Sequence, residues 1–470
     1  MSVSASDSVS ASRIVPHKVI IIVTAFVLFF VIRTSLPLGD LPKEYNVGSI
    51  RTGLAILLLA AILWLSEALP LAITAILIPV AAALTGTLNV ANSFSGFAHP
   101  LIFLFLGGFG LAAALSHQKL DQWLALRILT IGRGSFHLTA IALFIVSALL
   151  SMWISNTATV ALLLPVALGI LMHIKKHCGD DAMTRASPYL LLGIAYSASI
   201  GGIGTLIGTP PNAIAAANLG ISFAEWLAIG LPCVALLLPV LFVLLRLLAH
   251  PGKVPDFKVE AQPFQFNNAR YITLGIFILA ICGWLFSAPL AGLFGIEKSF
   301  DTLVAICALL LLAACRLVSW KEIERTTDWG VLLLFGGGIT LSKILSETEA
   351  SWFLASQIQQ LTSAMPTLLF VGAVVTFVIF LTELSSNTAS TALLVPIFAA
   401  VAIDMGIPAT ELVLPLTLAA SCAFMLPVAT PPNAIVFGSG HIKQRDMVRI
   451  GLVLNLLFAG ILTLLSRILF

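Results

Sequence analysis

Residues 138–171 run for about 35 positions without one charged side chain, and residues 368–403 do so again with a single acid, Glu383. About 20 apolar residues in a helix span the roughly 30 Å hydrocarbon core of a bilayer, so stretches this long point to lipid rather than to a soluble core. Neither stretch is uniform. Each carries a small polar triplet near its middle, Ser155-Asn156-Thr157 in SMWISNTATVALLLP and Ser386-Asn387-Thr388 in SSNTASTALLVP.

Eleven further apolar runs lie near residues 19–32, 54–69, 71–84, 101–115, 188–207, 223–248, 272–286, 302–314, 330–344, 412–428 and 452–469. Composition agrees: 59% of the 470 residues are hydrophobic, 10% are charged and the mean hydropathy is +1.07. Soluble domains carry about 25% charged residues, so the expected fold class is an all-α polytopic membrane protein. The net charge of +3 resides in short loops and speaks to membrane orientation, not to nucleic acid. The Ser-rich N-terminus is followed by an apolar run that ends in RTSLPLGD without a small-residue cleavage site, which reads as a retained first helix. Six cysteines without a CxxC spacing read as buried thiols.

The triplet is not the only repeated feature. GTPPNAI at 208–214 recurs as ATPPNAI at 429–435, and the pairs Gly107-Gly108 and Gly336-Gly337 are each followed at similar offsets by Trp123 and Trp352. Two copies result, over residues 51–250 and 271–470, preceded by a first helix within 1–50 and joined by a cytoplasmic linker over 251–270. Five ordinary spans per copy is an odd number, so the second copy enters the membrane from the opposite side and the repeat is inverted. With the N-terminus cytoplasmic, all but six of the 24 Lys and Arg fall on the cytoplasmic side; the exceptions are Arg33, Lys43, Arg51, Lys298, Lys343 and Arg467.

A turn that emerges into water usually carries Gly, Pro or charge, whereas Ser155-Asn156-Thr157 is bracketed by Met152-Trp153-Ile154 and Ala158. The two long stretches are therefore read as re-entrant hairpins with the triplets at buried tips. Irregular backbone at that depth is tolerable where it lines a protected polar cavity. In the TPPN motifs the prolines force Thr209 and Thr430 out of the helical region and suit the first turn of a new helix. Each motif is expected to end one half-helix near Gly208 or Ala429 and to start another at the prolines, and the tips, with Asn156, Thr157, Asn387 and Thr388 of the N-cap type, do the same. Four helix N-termini of roughly half a positive charge each sum to about +2, the scale of a doubly charged anion. The freed carbonyls and the oxygens of Ser155, Asn156, Ser386 and Asn387 are hard ligands suited to sodium. No Lys or Arg lies in the four motifs, so anion binding there depends on the cations.

The paired SNT and TPPN motifs, with TDWGVLLLFGGGI and SCAFMLPVATPPNAIVFG, closely resemble the divalent anion:sodium symporter family, in particular its bacterial sodium-coupled dicarboxylate transporters, over nearly the whole chain after the polar N-terminus. The resemblance implies a homodimer of about eleven transmembrane helices and two re-entrant hairpins per chain, working as an elevator. A scaffold domain, about 18–135 and 271–360, stays still while a transport domain, about 136–250 and 361–470, slides. It implies sodium sites at Ser151, Ser155, Asn156 and Gly208 in the first copy and at Thr382, Ser385, Asn387 and Ala429 in the second. It implies a dicarboxylate held by Ser155, Asn156, Thr157, Thr209, Ser386, Asn387, Thr388, Thr430 and Pro431, with succinate, fumarate or malate imported across the inner membrane, sodium co-transported and no organic cofactor. Citrate or sulfate remain alternatives. Where Ala429 replaces Gly208, any ligand must be a backbone carbonyl.

Other polar residues have plainer readings. Ser147 and Ser197 suit interhelical hydrogen bonds, and the clusters Gly201-Gly202-Ile203-Gly204 and Gly336-Gly337-Gly338 suit close helix packing rather than a nucleotide loop. Glu383 is suited equally to tuning a cation site, to taking a proton or to a structural pairing. His117, His137, His173 and His177 stand at helix ends as interfacial residues, and 117–133 has the pattern of an interfacial amphipathic helix. A cation/proton antiporter would need more carboxylates than Glu383 near the breaks. An intramembrane hydrolase using Ser155 or Ser386 would need an activating His or Lys that the motifs lack.

Overall fold

The computed structural model describes residues 16–39, 41–42, 45–129, 135–252, 264–296, 298–362 and 365–469. The expected polar N-terminus up to residue 15 and most of the linker lie outside the described residues. The described chain is helical throughout. A first helix, α1 (Pro16–Ser35), precedes α2 (Val47–Ser66), α3 (Leu71–Leu84), the short α4 (Val90–Phe94), α5 (Pro100–His117) and α6 (Leu120–Leu129). Then come α7 (Phe136–Ser151), α8 (Asn156–Cys178), α9 (Asp180–Gly202), α10 (Pro210–Leu219) and α11 (Phe223–Ala249). The second half holds α12 (Asn268–Leu285), α13 (Ser287–Phe294), α14 (Phe300–Ala314), α15 (Trp320–Thr326), α16 (Trp329–Glu347) and α17 (Ala350–Thr362). It closes with α18 (Thr367–Thr382), α19 (Asn387–Asp404), α20 (Ala409–Ala420), α21 (Pro431–Gly438) and α22 (Gln444–Leu465). Among the described residues nine helices are long and apolar enough to cross a bilayer, and shorter apolar helices such as α3, α14 and α20 complete the spans.

The order of elements in the first half recurs in the second, and the two halves exchange contacts. The tight glycine seams show it. A Cβ on Gly107 in α5 would lie 2.6 Å from the backbone of Ala305 in α14, and one on Gly337 in α16 would lie 2.7 Å from Ala75 in α3. Small residues let these backbones touch, as expected for helix packing in lipid. Further along, α10 packs on α19 and α20, while α21 packs on α8 and α9. Each second half-helix thus meets the hairpin and first half-helix of the other copy, the arrangement that antiparallel copies produce.

Directions within the hairpin follow from its contacts along α9. Phe136 and Phe144 meet Tyr189, the Ser147 hydroxyl donates to the Ile194 carbonyl at 2.7 Å, and Ala148 lies against Gly201, so α7 runs parallel to α9. The next helix runs the other way: α8 ends at Cys178, separated from the start of α9 by Gly179 alone, and starts at Asn156 beside Gly202. Antiparallel α7 and α8 are therefore a hairpin whose tip stands at the end of α9. After the irregular residues 203–209 the chain resumes as α10, ten residues or about 15 Å long. The first long apolar stretch is thus a helical hairpin with its polar triplet at the tip, as expected.

The structure differs from the sequence expectation in two places. The first half-helices end at Gly202 and Ala420, well before Gly208 and Ala429, leaving 203–209 and 421–430 irregular. Both helices close in tight i→i+3 turns, Gly204 N donating to Gly201 O at 2.8 Å and Cys422 N to Ala419 O at 2.9 Å; Pro427 then keeps the second loop from resuming a helix before the break. The expectation of buried thiols holds for Cys233 and Cys422 only, since Cys282, Cys307 and Cys315 are exposed on the outer surface; all six are free.

Of the interfacial helix expected over 117–133, residues 120–129 form α6 while 130–133 lie outside the described residues, and α17 is its counterpart. Lys119 and Glu349, each immediately before or at the turn into these arms, both take a left-handed backbone, with φ of 58° and 59°. Trp123 of α6 packs edge-on against Phe266 with centroids 5.1 Å apart, and Trp352 of α17 stacks on Tyr45 at 3.8 Å. Phe266 and Tyr45 directly precede Asn267 and Asn46, which cap α12 and α2. Each arm is thereby fixed to the entry of the other copy.

Candidate functional site

The two tips form as N-caps. Ser155 accepts a hydrogen bond from Ala158 N at 3.2 Å, and Ser386 accepts one from Ala389 N at 3.4 Å. The serines, rather than the expected Asn156, Thr157, Asn387 and Thr388, are the capping residues, which leaves the amides and threonines in the first helical turns. At the breaks Thr209 and Thr430 are extended, with φ and ψ of −146° and 143° and of −142° and 149°, as the following prolines require. Thr430 Oγ1 accepts from Asn433 N at 3.3 Å.

One cavity of about 750 Å³ gathers all four motifs. Ser155, Asn156, Thr157, Gly208 and Thr209 line it from the first copy, and Ser385, Ser386, Asn387, Thr388, Ala429, Thr430 and Pro431 from the second. The starts of α8, α10, α19 and α21 therefore converge on one space, where unsatisfied N–H groups and aligned dipoles favour an anion. No Lys or Arg is among its lining residues; the charged ones are Glu67 and Asp328. A neighbouring cavity of about 630 Å³ reaches between α5, α6 and the first tip and shares Ser155, Thr157, Gly208 and Pro210 with it.

Two residues of the sequence-derived set stand behind the cavity wall. Ser151 is buried and its hydroxyl hydrogen-bonds Asn156 Oδ1. Thr382 is buried too, but its hydroxyl donates to the Ile379 carbonyl at 3.0 Å, and Asn387 Oδ1 is a buried acceptor without a partner among the described residues. The copies differ at the breaks as well. A Cβ on Gly208 would stand 2.4 Å from the Gly202 carbonyl oxygen, so glycine is required there, while the longer second loop admits Ala429. Ala429 is nonetheless held by a turn, its N–H donating to Leu426 O at 3.2 Å, as Gly208 N does to Thr205 O at 3.3 Å.

Glu383 settles into a structural pairing. Its carboxylate accepts from Met425 N at 2.8 Å, Leu426 N at 2.9 Å and Asn455 Nδ2 at 2.7 Å, joining the second tip to the second break and to α22. In the first copy Met152 occupies the equivalent position, and the tie is made by the Thr205 hydroxyl donating to the Met152 carbonyl. Sequence reasoning passed over Asn212 and Asn433, which are fully buried and reach back across the breaks. Their identity in both copies of TPPN was the available signal.

The sequence profile of the sodium:sulfate symporter transmembrane region matches residues 17–469. The chain belongs to that family. As a sodium:sulfate symporter family member it is a transporter and not an enzyme. Family relatives share its length. An uncharacterized transporter of Haemophilus influenzae is 46% identical over 444 residues, covering 93% of this chain and 94% of the relative. Another, of Methanocaldococcus jannaschii, is 39% identical over 444 residues, 94% of this chain and 98% of the relative. The sodium-dependent dicarboxylate transporter SdcS of Staphylococcus saprophyticus is 34% identical over 441 residues, 87% of this chain and 84% of the relative. Among solved structures, the YdaH transporter of Alcanivorax borkumensis, described as having an unusual topology, superposes with a TM-score of 0.58 at 15% identity over 96% of this chain and 97% of that one. That likeness is one of fold.

Proposed function

We propose that this family member imports C4 dicarboxylates such as succinate, fumarate and malate together with sodium across the cytoplasmic membrane. The observation that carries the reading is the single cavity in which both SNT tips and both TPP breaks meet. A dianion there faces helix N-termini, hydroxyls and amides, and also the carboxylates Glu67 and Asp328 without any Lys or Arg. Cations must accompany it for the field to become favourable, which is a physical route to coupling. One sodium belongs with Ser151, Ser155, Asn156 and Gly208, the other with Thr382, Ser385, Asn387 and Ala429. The carboxylates of the substrate belong with Ser155, Asn156, Thr157, Thr209, Ser386, Asn387, Thr388, Thr430 and Pro431. The similarity to a sodium-dependent dicarboxylate transporter supports dicarboxylate over sulfate or citrate.

In this reading the chain is a homodimer with a cytoplasmic N-terminus. Residues of about 18–135 and 271–360 form the scaffold, and about 136–250 and 361–470 form the moving domain. The first tip already rests on the scaffold, since Trp153 packs against Phe277 of α12 at 4.9 Å. The cavity includes Ser66 and Glu67, where α2 ends, and Asp328, where α16 begins. With the N-terminus inside, that end faces the cytoplasm, so this is the inward-open state. Competition of fumarate, malate, citrate and sulfate against labelled succinate in proteoliposomes tests the substrate class. Sulfate or citrate displacing succinate far better than malate does would reject it.

A further inference from the structure

Asn212 and Asn433 line neither cavity, yet they make the same connection in both copies. Asn212 Nδ2 donates to the carbonyls of Gly202 at 2.9 Å and Thr205 at 2.8 Å. Asn433 Nδ2 donates to those of Ala423 at 3.0 Å and Leu426 at 3.1 Å. In both copies the acceptors lie ten and seven residues before the asparagine. The loops spanned are otherwise dissimilar, GGIGTLIG against CAFMLPVA, so the carboxamide is the element they share. Its two N–H donors bridge a carbonyl at or just past the end of the first half-helix, Gly202 or Ala423, and one in the loop beyond, Thr205 or Leu426, which also closes the turn before the break.

Those carbonyls adjoin the residues assigned to sodium. In the first copy Gly202 lies between Asn156 and Gly208: a Cβ on Gly202 would stand 2.7 Å from Asn156 Oδ1, and one on Gly208 would stand 2.4 Å from Gly202 O. In the second, Leu426 O accepts from both Asn433 and Ala429 N, while Leu426 N donates to Glu383, next to Thr382. Each asparagine is one hydrogen bond away from the cation ligands of its own copy. Asn212 Oδ1 and Asn433 Oδ1 are themselves buried without a partner among the described residues, an unfavourable state that a purely space-filling residue would not need.

We infer that Asn212 and Asn433 are positioning residues for the two sodium sites, an inference that rests on the sodium-symport reading above. Each pins the end of a first half-helix and thereby fixes where Gly208 and Ala429 present their carbonyls. Outer partners that orient metal ligands typically change affinity by about 10–100-fold when removed. Because the two asparagines serve separate copies, each acts on sodium affinity by itself.

The test uses purified full-length protein in liposomes, with Asn212→Ala, Asn433→Ala and the similarly sized Asn212→Asp and Asn433→Asp. Sodium is titrated at saturating succinate, and succinate at saturating sodium. The expected result is a half-saturating sodium concentration raised about tenfold or more, with the maximal rate largely recovered at high sodium. Unchanged sodium dependence overturns the inference, whether the rate falls evenly or the half-saturating succinate concentration alone rises. If an alanine variant does not fold, protection of the aspartate variants by sodium against thermal unfolding reads the same affinity without transport, and wild-type protection overturns the inference. Wild-type uptake that ignores sodium overturns the symport reading itself; sodium-dependent wild type with unchanged variants overturns this inference alone.

Discussion

The Ser151 hydroxyl is hydrogen-bonded to Asn156 Oδ1 across the first hairpin tip, whereas their counterparts Thr382 and Asn387 make no such bond. The two copies of one motif thus present their amide oxygens differently, one already oriented by a hydroxyl and the other without a partner among the described residues. In the proposed function, the two sodium sites are therefore inequivalent. Ser151→Ala is expected to raise the half-saturating sodium concentration of uptake about tenfold, the scale of a lost ligand or orienting partner. Thr382→Val keeps the backbone carbonyl, which is what Thr382 can offer a cation while its hydroxyl is turned to Ile379 O, and is expected to change it less than about threefold. A sodium titration of both variants checks the order, and the reverse order would reject the asymmetry.

Glu383 should matter for stability more than for chemistry. Replacing it by methionine, the residue at the matching place in the first copy, strips the acceptors from Met425 N, Leu426 N and Asn455 Nδ2. Each buried donor left unpaired costs about 1–3 kcal/mol. The thermal midpoint of Glu383→Met in detergent is expected to fall by about 5 °C or more. Asn455→Ala should lower it less, and the double variant should be non-additive, since both residues share one network.

Trp153 joins the first tip to α12, with Phe277 at 4.9 Å and Trp284 at 6.4 Å. Aromatic contacts of this kind contribute about 0.5–1.5 kcal/mol each beyond their area. In an elevator the contact is specific to one position of the moving domain. Trp153→Ala should therefore depopulate the open state described above. The readout is thiol labelling of a cysteine at the exposed cavity position Val428, in a cysteine-free background, from the side where α2 ends. A drop of about fivefold is expected, corresponding to about 1 kcal/mol; unaltered labelling would show that the ring has no part in the equilibrium.

Glu322 gives a pH prediction outside the membrane spans. It accepts from Ser319 N and Ser319 Oγ, both at 2.9 Å, and pairs with His117. The bonds from Ser319, backbone first and hydroxyl second, hold its carboxyl below the ordinary glutamate range. A lowered carboxyl pKa stabilises the fold above the unfolded value of about 4.3, and this is lost as pH falls through the folded value. The stability gap between wild type and Glu322→Gln should be present at pH 6 and close as the pH drops from about 5 towards 3. A gap that widens on acidification would contradict the assignment.

Much of this was legible in the sequence for identifiable reasons. Proline chemistry placed Thr209 and Thr430 in extended conformation, and duplication of SNT and TPPN located two half-sites that the structure brings into one cavity. The ends of α9 and α20 were not legible, because the apolar pattern continues through 203–207 and 421–428 while the helix does not. The role of Ser155 and Ser386 as caps was displaced by one residue onto the neighbouring amides, since Ser, Asn and Thr are all good caps and only geometry chooses among them. Asn212 and Asn433 were invisible as braces because their acceptors lie seven and ten residues away, at no helical interval. Glu383 stood out as an intramembrane acid, yet its partners on α22 and the second break are tertiary.

The central claim is that the paired motifs form one site where a dicarboxylate is held only together with sodium. Uptake of labelled succinate into liposomes containing the purified protein tests it most directly, with an inward sodium gradient, with choline in place of sodium, and with Asn156→Ala and Asn387→Ala. Accumulation that needs the sodium gradient and disappears in both variants is the predicted result. Uptake that persists at full rate in choline, or that survives loss of both amides, would contradict it.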